Sequence, residues 1–175
     1  LGTGASAYVF RASDLARGGD VALKVLRRHA PKESEIGKRF LREARVASAV
    51  AHPYVVRFID FGIHQEEPYL AMELIEGELL SSRIAREPRM STLESLRVAR
   101  WLLMGLGAVH LADMVHRDVK PENIILLPEG LKLLDFGLSR PKGQTEETVE
   151  GTLLGTPGYM SPEQAHGMTI DARSD

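Results

Sequence analysis

The sequence predicts an α+β chain of two unequal lobes, on three observations. Short runs rich in β-branched and aromatic residues dominate up to about residue 75. After the polar, glycine-centred stretch Glu76-Gly77-Glu78, longer apolar patterns of helical period take over. The 175 residues, 43% hydrophobic and 26% charged, have an ordinary globular composition and suffice for one domain or two small lobes. The first lobe is expected to be a small, mainly antiparallel sheet with one long helix, and the second mainly helical.

The elements follow in order. Leu1 to Phe10 reads as the end of a strand, a glycine-containing turn and a second strand at Tyr8-Val9-Phe10. Arg17-Gly18-Gly19-Asp20 is a turn signal, and Val21 to Leu26 is a short strand. Pro31 to about Val50 reads as a helix, with Phe40, Leu41, Ala44, Val46 and Ala47 near helical spacing, and His52-Pro53 breaks it. Tyr54 to Phe61 and Tyr69 to Ile75 read as strands around a polar turn at 64–68. A hinge is expected near Met72 to Gly77, dividing 1–75 from 76–175. Beyond it, Leu79 to Arg86 reads as a short helix and Ser91 to Ala112 as a longer one. Ile124 to Leu127 and Leu131 to Leu134 form a small hairpin around Pro128-Glu129-Gly130. Arg140 to Glu150 is polar and aperiodic, so an exposed loop is expected there.

Bulk properties exclude several roles. A formal net charge of -2 points to neither nucleic acid nor a membrane surface. The absence of cysteine excludes disulfides and thiolate metal sites within this span. No apolar run approaches the roughly 18 residues needed to cross a bilayer. Leu1 is not an initiator methionine, so the chain reads as a fragment, and a missing targeting segment says nothing about the parent protein.

Chemistry concentrates in His116-Arg117-Asp118-Val119-Lys120-Pro121-Glu122-Asn123 and Leu134-Asp135-Phe136-Gly137. Asp118 can receive a hydroxyl proton, while Asn123 and Asp135 offer the hard oxygen ligands that Mg²⁺ prefers. Each residue alone could be a loop cap or turn former, but together they suit a metal-bound triphosphate held beside a hydroxyl. Upstream, Gly2-Thr3-Gly4-Ala5-Ser6-Ala7 is small enough for backbone N–H groups to approach phosphate oxygens, though it also reads as a plain turn between strands. Strand alternation puts Ala22 and Lys24 on one face; a solvated surface lysine is the rival reading.

These strings resemble the glycine-rich loop, the strand lysine, the catalytic loop and the magnesium loop of eukaryotic-type (Hanks-type) serine/threonine protein kinases. Met160-Ser161-Pro162-Glu163-Gln164-Ala165 is similar in style to bacterial members. The resemblance implies a bilobal protein-kinase-like fold whose C-lobe is incomplete, with ATP and Mg²⁺, or Mn²⁺, as cofactors. It implies that Asp118 is the hydroxyl-orienting base, that Lys120 steadies the γ-phosphate, and that Asn123 and Asp135 bind the metal. Lys24 would hold the α- and β-phosphates and pair with a helix glutamate. Glu43 fits its register to His52-Pro53, with Glu33 and Glu35 as rivals. Gly2 and Gly4 would cover the phosphates, with Ala7 in place of a third glycine. Ala22, Val9 and Ile125 would enclose adenine, although Val9 and Ile125 also read as core aliphatics. Met72 would be the gatekeeper, and the Glu73 carbonyl and Ile75 N–H would face the adenine edge.

The resemblance implies further that Asp175 hydrogen-bonds the catalytic-loop backbone and that Thr156 contacts Asp118 and Lys120. A phosphate on Thr148 or Thr152 would supply the counter-charge of Arg117. The expected partners are proteins with Ser/Thr hydroxyls and a second copy for autophosphorylation, with no nucleic acid and no membrane contact from this segment. The expected location is the cytoplasm, with a parent that could be anchored in the plasma membrane. Two rivals stay open, an ATP-binding pseudokinase scaffold and a small-molecule phosphotransferase of related fold. The presence of Lys24, Asp118, Asn123 and Asp135 counts against the first, and Arg117, Lys120 and the 156–163 segment against the second.

Overall fold

The computed structural model describes residues 2–3, 7–27, 31–135 and 157–175. Five strands, β1 (Gly2–Thr3), β2 (Ala7–Ser13), β3 (Asp20–Leu26), β4 (Phe58–His64) and β5 (Glu67–Glu73), form one antiparallel sheet in the order β1-β2-β3-β5-β4. The β4–β5 turn places Gln65 and Glu66 at φ 47° and 66° between the paired residues His64 and Glu67. Two positive φ values at a two-residue turn match the twist of a hairpin, even without glycine or asparagine there.

Helix α1 (Glu35–Ser48) starts at Ser34, whose hydroxyl accepts the Gly37 N–H, and lays Phe40, Ala44 and Ala47 against the sheet. The helix is shorter than the expected 31–50, because residues 31–34 form the turn that leads into the cap. Its apolar face joins Leu26, Val55, Val56, Leu70 and Met72 in the first hydrophobic core. Val109, from the second half of the chain, belongs to that core as well.

After the sheet come β6 (Glu78–Leu79), α2 (Leu80–Arg86), α3 (Thr92–Leu111) and the hairpin β7 (Ile124–Leu127) and β8 (Gly130–Leu133). Strands β6, β7 and β8 make a second, three-stranded antiparallel sheet. Leu80, Leu106, Ile124, Leu131 and Leu133 form the second core. A short helix α4 (Pro162–Ala165) opens with a capping box between Ser161 and Gln164.

Two expected strands need correction as well. The strand expected over 54–61 begins only at Phe58 and runs on to His64. Tyr54 to Val56 instead bond to the hairpin. Leu133 donates its N–H to the Tyr54 carbonyl at 2.8 Å, and Val56 donates to the Leu133 carbonyl at 2.9 Å. Val55 and Val56 are fully buried there, so their β-branched character serves the junction between the two sheets rather than the first sheet. The strand expected over 69–75 ends at Glu73, because the backbone beyond it leaves the ladder. On α3, Trp101 and Val109 turn inward, whereas Leu93, Leu96, Leu103 and Leu111 are exposed. No helix among the described residues is long and apolar enough to cross a membrane.

Candidate active site

The loop between α3 and β7 is shaped by buried hydrogen bonds. Asp175, with its side chain 1% exposed, accepts the His116 N–H and the Arg117 N–H, each at 2.7 Å, and lies 2.8 Å from His110 Nε2. One carboxylate thus satisfies two neighbouring backbone donors and holds the strained Arg117, whose φ is 68°. From the other side, Gln164 of α4 donates its side-chain amide to the Arg117 carbonyl at 2.8 Å.

His116 is fully buried. Its Nε2 lies 2.6 Å from the Leu134 carbonyl, and its Nδ1 lies 3.3 Å from the Asp118 N–H. These partners assign the neutral tautomer, with Nε2–H donating to the carbonyl and Nδ1 accepting the amide. Burial pushes the imidazole pKa below its ordinary value. The Leu134 carbonyl and the Asp175, Asp118 and Asp135 carboxylates oppose that shift without reversing it. The ring therefore fastens the loop around Asp118 to the residue before Asp135.

Three side chains converge next. Asp118 Oδ2 lies 3.0 Å from Lys120 Nζ and accepts from Asn123 Nδ2 at 2.9 Å. The same Asn123 amide donates to the Asp118 carbonyl at 2.7 Å. With the amide nitrogen committed to two acceptors, the Asn123 orientation is set and its carbonyl oxygen is presented on the opposite side. The Leu134 N–H donates to the Asn123 backbone carbonyl at 2.8 Å, so Asn123 and Asp135 flank the open end of the β7–β8 hairpin.

Asp135 sits at φ 52°, and its Oδ1 lies 2.6 Å from Lys24 Nζ. Lys24 is 7% exposed, which disposes of the surface-lysine alternative. Its strand is central in the first sheet, opposite Val9 on β2 and Leu70 on β5. Ala22, on the same face, pairs with the buried Met72. Ile125 lies on β7, paired with Leu79 of β6. Gly77 passes so close to it that an added Cβ would stand 2.4 Å from Ile125 Cγ2 and 2.5 Å from the Leu126 carbonyl. The segment after Glu73 is thus pressed onto the β7 strand. Gly2 pairs with Val9 across β1 and β2, while Gly4 lies outside the described residues.

Comparison of the whole chain with known proteins identifies its family. The family model for the protein kinase domain matches residues 1–175. The chain belongs to the protein kinase domain family. The kinase Pkn2 of Myxococcus xanthus is 40% identical over 182 residues, covering all of this chain and 22% of Pkn2. PknL of Mycobacterium tuberculosis is 38% identical over 176 residues, covering all of this chain and 44% of PknL. Both are named serine/threonine-protein kinases. Among solved structures, the PknI kinase domain of M. tuberculosis matches with a TM-score of 0.78 and 28% identity, over all of this chain and 64% of that one. Rad53 1-466 in complex with AMP-PNP matches with a TM-score of 0.76 and 27% identity, over 95% of this chain and 41% of that one. The chain thus spans less than half the length of these curated relatives.

Within this kinase fold, one expected contact is replaced. Lys24 and Glu43 were expected to pair. Instead Glu43 Oε1 takes Arg39 Nε at 3.1 Å, four residues back on its own helix, and Lys24 takes Asp135. The exchange has a simple cause: each charge has a nearer opposite partner, and the α1 position leaves Glu43 to its helical neighbour. Asp175 does what the resemblance implied. Gln164 and His116 lie inside the matching motifs, and the resemblance assigns neither a role. An amide side chain three residues after a helix-capping serine was the available signal for Gln164. Phe136 and Gly137, Thr148, Thr152 and Thr156, and the loop expected over 140–150 lie outside the described residues.

Proposed function

We propose that this chain is the nucleotide- and metal-binding part of a serine/threonine protein kinase catalytic domain, transferring the ATP γ-phosphate to Ser or Thr hydroxyls of proteins. The observation that carries the reading is the convergence of Lys120 and Asn123 on Asp118, with Asp135 and Lys24 joined beside it. The likeness to Rad53 in complex with AMP-PNP supports nucleotide binding by this fold.

The donor set fits a magnesium ion. Asn123 presents a carbonyl oxygen and Asp135 a carboxylate, both hard ligands. Among the described residues no group of three or more His, Cys, Asp or Glu could hold a metal alone. The protein would therefore supply two ligands and leave the others to phosphate and water, as magnesium favours. When bound, the ion neutralises charge on the transferring phosphate. Lys24 would grip the α- and β-phosphates, and Lys120 would hold the γ-phosphate near the hydroxyl. Asp118 would orient that hydroxyl and accept its proton; in a loose transition state its positioning matters more than early proton abstraction. Glu43 would brace Lys24 once α1 carries it inward. The Glu73 carbonyl and Ile75 N–H would meet adenine, with Met72 behind it and Val9, Ala22 and Ile125 around it. Phosphorylation at Thr148 or Thr152 would place a counter-charge on Arg117 and activate transfer.

The test is phosphorylation of a serine/threonine protein substrate by the full-length protein with ATP and Mg²⁺. Asp118→Asn is expected to lower kcat by roughly 10²- to 10⁴-fold with ATP affinity retained. ATP binding without any protein phosphorylation by the wild type would leave a pseudokinase and reject the proposal.

A further inference from the structure

The second sheet reaches the first through a charge pair that the catalytic assignments do not use. Lys132 lies on β8, and its Nζ is 2.5 Å from Glu73 Oε1, with the Val55 carbonyl 3.4 Å away. Glu73 is the last residue of β5. The same Oε1 accepts the Arg57 N–H at 2.9 Å, and the Glu73 N–H donates to the Arg57 carbonyl at 3.0 Å. Both charged side chains are about four-fifths covered, at 17% and 22% exposure. A pair this covered is screened less than a surface pair and is held by a further backbone donor.

Its place in the fold gives it a consequence. Glu73 stands next to the gatekeeper position Met72 and begins the segment proposed to meet the adenine edge. Lys132 pairs across the hairpin with Ile125, proposed to touch an adenine face, and precedes Asp135 by three residues. One ammonium–carboxylate contact therefore ties the strand carrying the adenine edge to the hairpin carrying the adenine floor. Main-chain bonds from Tyr54 and Val56 to Leu133, and from Glu73 to Arg57, fasten the neighbouring backbone, and the ion pair adds a direct side-chain contact between β5 and β8. We propose that Lys132 and Glu73 are positioning residues for the nucleotide: their ion pair sets the spacing between the two sides of the adenine slot. The inference rests on the proposed kinase reading of the cleft.

A fixed slot width acts on binding of the purine and not on the phosphoryl step, so the signature is a split between KM and kcat. In the full-length protein, Lys132→Met is expected to raise KM for ATP roughly fivefold while kcat changes less than about twofold. Lys132→Arg keeps the cation and is expected to restore KM. Glu73→Gln keeps an acceptor for the Arg57 N–H but drops the charge, and combined with Lys132→Met it should add little to the single effect. Inorganic triphosphate, which lacks the base, should inhibit wild type and Lys132→Met equally. If Lys132→Met lowered Tm but left KM for ATP unchanged in the folded enzyme, the pair would be structural only and the inference would fall. A wild-type protein that binds no ATP would overturn the kinase reading itself, a result separable from that one.

Discussion

The two walls of the candidate site are built in different ways. On the catalytic-loop side, Asp118, Lys120 and Asn123 lie within six residues and meet through short contacts. His116 and Asp175 lock their backbone from beneath. On the sheet side, Lys24 and Glu43 are 19 residues apart and have separate partners, Asp135 and Arg39. Buried hydrogen bonds to a charged group contribute about 1.5–3 kcal/mol each, whereas an i,i+4 pair on a helix contributes roughly 0.3–0.5. The first wall therefore has one arrangement; on the second, the Arg39–Glu43 contact can be exchanged at small cost, while Lys24 and Asp135 form a covered pair.

The largest expected break comes from the first wall. Asp175→Ala would leave the His116 and Arg117 N–H groups, and His110, without their buried acceptor. At about 1–3 kcal/mol for each stranded donor, a loss of several kcal/mol is expected. A thermal melt of the full-length protein should show a markedly lower Tm, and kinase activity should fall with it. Asp175→Asn retains only one acceptor and should be intermediate. A melt unchanged by Asp175→Ala would show that the loop is held by something else.

That contrast also governs what the sequence made legible. Asp118, Lys120, Asn123 and Asp135 could be named because their strings resemble the catalytic and magnesium loops of protein kinases, and the short spacing around the hairpin keeps them close. Lys24 was identified on its strand, but its partner was not, because choosing among carboxylates requires the position of α1. Tyr54 to Val56 looked like part of the first sheet since β-branched residues suit any pleated, buried surface, and only the tertiary contact with Leu133 assigns them. Lys132 carries no local signal: nothing near it in sequence reveals that Glu73, 59 residues earlier, receives it.

His116 allows a finer test of the rigid wall. Burial holds its folded-state pKa below the unfolded value of about 6.5. Below that value the unfolded chain takes up a proton that the folded chain refuses, so stability falls as pH falls. The contribution is complete above about pH 6.5 and is lost progressively down to the folded-state pKa. Urea midpoints of the wild type should drop between neutral pH and about pH 5.5, and His116→Asn should show a shallower slope over the same window. Equal slopes would mean that the ring stays accessible to protons in the folded state.

The smallest effect sharpens the comparison most, because it addresses the exchangeable wall alone. Arg39 occupies Glu43 while one of its own terminal nitrogens, Nη2, is buried without a hydrogen-bond partner. That pair is weakly seated. Beside it, a cavity of about 550 Å³ separates Arg42, Glu43 and Val46 on α1 from Met114 and Arg117 near the catalytic loop. The helix thus has space on the side facing the catalytic loop. Arg39→Met keeps the aliphatic stem and removes the competing cation, which leaves Glu43 to seek Lys24. Given the worth of an i,i+4 pair, the shift in the Glu43 equilibrium should be about twofold. It should appear as a similar rise in the basal rate of the unphosphorylated full-length protein, and it should vanish when Glu43→Gln is added. A rise that survived Glu43→Gln would place the control elsewhere on α1, and the contrast between a fixed wall and an exchangeable one would have to be drawn without the Arg39–Glu43 contact.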